Sequence, residues 1–65
     1  MTEVYVEHFE SGKNWVGIAR DGKEIVQEQL FDAYAGKGVF SFFLKDQTLV
    51  VFPTKVLENC IVTVK

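Results

Sequence analysis

Hydrophobic and polar residues alternate at the start of the chain. In residues 2–9, Val4, Val6 and His8 fall on one face and Tyr5, Glu7 and Phe9 on the other, the period of two that marks a strand. Residues 10–14, Glu-Ser-Gly-Lys-Asn, have turn chemistry. Residues 15–20 read as a second strand, paired with the first as an antiparallel hairpin. Gly17 within it predicts a bulge or a close approach of another backbone.

The period changes after Arg20. Val26, Leu30, Ala33 and Tyr34 recur at helical spacing. Glu, Gln, Leu and Ala dominate this stretch and favour helix over strand. Asp21 is positioned to cap the helix with Glu24 three residues on, and Gly36 stands where a left-handed C-terminal cap belongs. A helix over residues 24–35 follows. The competing reading turns at Asp21-Gly22 and runs a strand over 23–29, placing Ile18 opposite Ile25. That strand leaves Leu30, Phe31 and Tyr34 in a loop.

Residues 39–45 and 48–52 return to strand chemistry and predict a hairpin about Asp46-Gln47, with a slightly longer loop as the alternative because Asp-Gln is a weaker turn than Asp-Gly. With Lys45 opposite Thr48, Leu44 faces Leu49, Phe42 faces Val51 and Phe40 faces Pro53. Phe40, Phe42 and Leu44 then share one side, and Phe43, Val50 and Phe52 the other. Pro53 has no N–H for the ladder and ends the strand. Residues 54–58 read as a turn or one helical turn, and 60–64 as a last strand with Cys60, Val62 and Val64 on one face. The expected architecture is α+β and β-rich, an antiparallel sheet in the order ββαβββ within one domain. The alternative is an all-β small barrel. The run Leu49-Val50-Val51-Phe52-Pro53-Thr54-Lys55-Val56-Leu57 resembles the end of many SH3-like and Sm-like barrels. That resemblance implies the barrel architecture and nothing about a ligand.

Length sharpens the problem of covering this sheet. A 65-residue chain buries only about 60% of its unfolded surface and gains from a staple. One cysteine makes no internal disulfide, and one cysteine with one histidine falls short of the four ligands of a structural zinc site. With both faces of the 39–52 hairpin apolar and one helix to cover them, the second face calls for barrel closure or another subunit. The expectation is a homodimer or small ring with Phe43, Val50 and Phe52 at the interface.

Charge narrows the function classes. A net charge of −2 gives no general pull toward nucleic acid or anionic lipid. The longest uncharged apolar run, residues 49–53, is far too short to span a bilayer. Three glutamates in the first ten residues do not fit a secretory signal, and the lone cysteine fits a reducing compartment. A cytoplasmic location is expected.

Candidate chemistry is sparse. Cys60 lies in an apolar strand, where a thiol behaves as a small hydrophobe, and His8 is the only histidine to pair with it. The stretch Lys37-Gly38-Val39-Phe40-Ser41-Phe42 resembles the Lys-Gly-aromatic strand of single-strand RNA binders, in which aromatics stack on bases. In so short a chain Phe40 and Phe42 serve better as core. Glu24, Glu28 and Asp32 stack four apart on one helix face, a solvated strip or a docking strip for a basic protein surface. Trp15, Tyr34 and Lys37 could line a pocket for a nucleotide or metabolite. No cofactor and no metal site is expected. The leading reading is a non-enzymatic interaction protein (adaptor, inhibitor or regulator). A small-ligand-binding oligomer comes second and a single-stranded nucleic-acid binder third.

Overall fold

The computed structural model describes residues 1–65. Its elements are β1 (Thr2–His8), β2 (Asn14–Ala19), α1 (Lys23–Tyr34), β3 (Phe40–Leu44), β4 (Leu49–Phe52), α2 (Thr54–Leu57) and β5 (Cys60–Val64). The five strands form one sheet in the order β4-β3-β2-β1-β5, and every neighbouring pair is antiparallel. The expected β-rich α+β architecture is present, with α2 as the single helical turn before the last strand. Residues 23–29 belong to a helix, which removes the strand of the barrel alternative. β4 and β5 lie on opposite edges and run in the same direction, so the sheet stays open.

The core lies on one face of the sheet. Val4 and Val6 from β1, Phe40 and Phe42 from β3, Phe52 from β4 and Cys60 from β5 meet Val26, Leu30 and Ala33 from α1 and Leu57 from α2. Helical spacing selects the α1 residues, since positions 26, 30 and 33 share one stripe. Tyr34 lies at the margin of that stripe and stays 40% exposed. Phe42 and Phe52 stack at 5.7 Å with nearly parallel rings. Trp15 meets Phe52 edge-on at 5.1 Å, a contact between β2 and β4 that spans β3. The connection from β4 to β5 must pass from one edge to the other. It crosses beneath the core face through α2, burying Leu57 fully, and Thr54 Oγ1 donates to the Ala33 carbonyl at 2.6 Å.

The start of α1 differs from the expected cap. Gly22 occupies the N-cap and no side chain caps the helix. The Asp21 carbonyl accepts a hydrogen bond from Thr2 Oγ1 at 2.8 Å, and its carboxylate accepts one from Gln29 Nε2 at 3.3 Å. Asp21 thus ties β1 and the helix flank together instead of capping.

The end of α1 is as expected. Gly36 has φ +77°, its amide donates to the Ala33 carbonyl, and the Lys37 amide donates to the Asp32 carbonyl at 2.8 Å. These two bonds are the Schellman arrangement, which satisfies the last helix carbonyls. A methyl at position 36 would meet nothing within 4 Å, so Gly36→Ala isolates the backbone term. The expected loss is about 1–2 kcal/mol, read as a lower urea midpoint at unchanged slope. An unchanged midpoint would show that the motif does not hold the helix end.

The β3–β4 hairpin has a different register from the expected one. Phe43 pairs with Leu49, Phe42 with Val50, Ser41 with Val51 and Phe40 with Phe52. The loop is three residues, Lys45-Asp46-Gln47. The Gln47 amide donates to the Leu44 carbonyl and the Leu44 amide to the Thr48 carbonyl, with Gln47 at φ 68°. This is the turn-plus-left-handed-residue loop, one residue longer than the minimal hairpin. A one-residue slip moves a strand's side chains to the other face. Val50 and Phe52 therefore point into the core, with Phe52 buried, and the grouping of Phe43, Val50 and Phe52 on one exposed face is corrected. Phe43 remains outward, joined by Leu49 and Val51.

Candidate functional site

The corrected register defines the outer face of the sheet. Its central row runs across four strands as Glu3, Ile18, Phe43 and Leu49, each opposite the next. Beside it lies Thr63, Tyr5 and Val16, then Ile61, Glu7 and Asn14. Val51 extends the face at the β4 edge. Val16, Ile18, Leu49, Val51 and Ile61 are 41–52% exposed. Neither helix lies on this side, because α1 and α2 both pack their buried residues into the core on the other. An antiparallel sheet with one solvated face ordinarily carries polar residues there. Here the β2–β4 part of the solvated face is apolar, with Val16, Ile18, Phe43, Leu49 and Val51 adjoining one another, while polar residues intervene on β1 and β5.

Charges border the apolar centre. Glu3 and Glu7 stand on β1, Arg20 follows β2 and Lys45 follows β3. The Arg20 guanidinium lies 4.7 Å from the centre of the Phe43 ring, a cation–π contact that shields part of the aromatic surface. Two clefts open on this face. One of about 250 Å³ is lined by Glu3, Tyr5, Val16, Thr63 and Lys65, and one of about 340 Å³ by Ile18, Arg20, Phe43 and Lys45 among others.

Phe40 and Phe42 are buried, so the aromatics of the Lys37–Phe42 stretch belong to the core and cannot stack on bases. Trp15 borders a shallow cleft beside Lys45 and Asp46. Tyr34 and Lys37 line no cleft with it, so no common pocket joins the three. Glu24, Glu28 and Asp32 are all exposed on α1. Hydrogen bonds from the Thr48 hydroxyl and amide hold the Asp46 carboxyl below its ordinary range, a feature of the β3–β4 turn.

Tertiary structure does bring His8 directly opposite Cys60 in the β1–β5 ladder, a proximity that sequence spacing does not reveal. Their bonding is structural. His8 Nδ1 is engaged by the Ser11 hydroxyl at 3.0 Å and amide at 3.3 Å. The Cys60 thiol donates to the Val56 carbonyl at 3.2 Å, and burial pushes its pKa up. An activated nucleophile needs the opposite shift. Tyr34 is also raised, by burial first and then by the neighbouring Cys60.

These two acids set an alkaline limit on stability. Each holds its proton more tightly in the folded chain, so the unfolded chain releases protons first as pH rises. Stability is expected to be level at neutral pH and to fall once pH passes 9.0, the ordinary value for Cys60, with Tyr34 adding above 10.0. Urea midpoints between pH 7 and 11 test this, and Cys60→Ala should delay the onset. A profile still level at pH 11 would contradict it.

Comparison with protein-family models, with curated proteins and with solved structures gives no match. The site is therefore read from its own geometry. β2 and β4 supply most of its apolar residues, and periodicity alone could have placed Val16 and Ile18 opposite Trp15. Leu49 and Val51 needed the register of the β3–β4 turn.

Proposed function

We propose that the chain is a non-enzymatic interaction domain, an adaptor, inhibitor or regulator that acts by docking its outer sheet face on a protein surface. The observation that supports this reading is the unbroken row Ile18, Phe43 and Leu49 with Val16 and Tyr5 beside it. A contiguous exposed apolar patch bordered by charge is characteristic of protein interfaces. Water against this patch is released on docking, worth about 25 cal/mol per Å² of apolar area before the costs of association.

Ile18→Lys tests the reading. Position 18 is 41% exposed, so the charge can reach solvent and folding stability should change by no more than about 1 kcal/mol. Binding through the face should be lost. Cross-linking in extracts of the native cell, with wild-type and Ile18→Lys chains as matched baits, should show partners captured by the first and absent from the second. The same partners on both baits would mean that binding, if present, uses another surface.

A further inference from the structure

The placement of charge around the outer face selects an occupant. Glu3 and Glu7 stand on β1, on one side of the central β2 residues Val16 and Ile18. Lys45 stands beyond β3 on the other side, and Arg20 closes the end of β2 over Phe43. Lys65 stands beside Glu3 at the β5 edge, so both signs are present on the face, with its carboxylates on β1 and with Lys45 and the Arg20 guanidinium across the apolar stripe from them. A surface built for a strongly basic or strongly acidic partner would carry one sign.

We infer that this face binds a second copy of the chain, sheet against sheet, about a two-fold axis running along β2. This rests on the reading of the outer face as a docking surface. Rotation about that axis lays β1 of each protomer over β3 of the other. Lys45 of one copy then falls over Tyr5 of its mate, between Glu3 and Glu7. Arg20, held on its own Phe43, comes beside the opposing Glu3. The same patch serves both copies, as a closed two-fold dimer requires. Ile18 and Val16 lie on the axis and meet their own counterparts, giving a dry centre within a charged rim.

Area limits the extent of the contact. Five strands about 4.8 Å apart with three outward rows make a face roughly 20 Å square, so two copies bury on the order of 800–1,000 Å² together. That is below the roughly 1,200 Å² of stable complexes and within the range of weak, transient ones. The expected dimer is therefore reversible.

Sedimentation equilibrium of the full chain from 1 µM to 1 mM tests this. The 7.4 kDa chain should approach twice its mass across that range, and more weakly in 500 mM than in 50 mM salt. Two charge-reversed chains test the geometry: Glu3→Lys with Glu7→Lys, and Arg20→Glu with Lys45→Glu. Each alone should self-associate at least tenfold more weakly, and an equimolar mixture should recover a heterodimer. Lys45→Glu alone, which leaves the Arg20–Phe43 contact intact, serves as a milder control, and circular dichroism verifies that each variant is folded. Wild-type chain monomeric at 1 mM would overturn the inference. So would a dimer that survives Ile18→Lys and both reversals, since it would form elsewhere, for example at an edge strand. The matched-bait comparison judges the docking surface separately, so a monomer that still loses partners on Ile18→Lys would retain that reading without the dimer.

Discussion

Gly17→Ala is expected to remove most of the folding stability of the chain at 25 °C. Gly17 faces the core on β2 and pairs with Leu44. A methyl at this position would sit well inside van der Waals contact of the Phe43 carbonyl oxygen, 2.8 Å from Phe42 Cδ2 and 2.9 Å from the Phe43 carbonyl carbon. Two of these three obstacles are backbone, so a rotamer change cannot relieve them. Relief requires β3 to move away from β2, and those strands share only two registered pairs. Overpacking of this kind costs about 3 kcal/mol or more when backbone must shift. A single core in so short a chain supplies only about 3–5 kcal/mol. A urea midpoint lowered by more than half would show the effect. A midpoint within experimental error of wild type would mean that β2 and β3 are more loosely joined than their geometry indicates.

Phe42→Ala should be comparably severe by the opposite route, removal of volume. Phe42 is 1% exposed, stacks on Phe52 at 5.7 Å and lies 5.9 Å from Phe40. Its loss empties the junction between β2, β3 and β4. Buried phenylalanine-to-alanine changes cost about 3–5 kcal/mol, again on the scale of the whole stability. Phe31→Ala is the matched control, because Phe31 is 68% exposed on α1 and should change stability by about 0.5 kcal/mol or less. Thermal melts of the three chains decide the matter. Equal losses at positions 31 and 42 would contradict the assignment of the aromatic core.

These two positions also show how legible the fold was. Phe42 as core followed from the scarcity of other bulky residues in a short chain. Gly17 was legible only as an alternative between a bulge and a close approach, since the approaching backbone comes from β3, more than twenty residues away. The same division holds for the outer face. That one face would lack cover was predictable from one helix and a two-sided hairpin, but which residues occupied it was not. Register there depends on the Lys45-Asp46-Gln47 loop. Its left-handed position carries Gln47, where a glycine would have marked the longer turn. Without that mark the minimal turn is the natural reading, and it exchanges Val50 and Phe52 for Leu49 and Val51.

Local chemistry by itself determined the elements. Alternation made β1 and β5, helical spacing chose Val26, Leu30 and Ala33 as the buried stripe of α1, and Gly36 ended that helix. Each depends on neighbours within a few residues, where period and backbone preference act directly. Only the tertiary structure decided what distant residues do to one another. It set the slip at Gln47, carried the β4–β5 connection across to the far edge, and left β4 and β5 unable to close an antiparallel barrel. It placed Ile18 beside Phe43 and Leu49 on an uncovered face. Cross-strand pairing joins residues far apart in the chain, and a change of one residue in a turn reverses which of them face water.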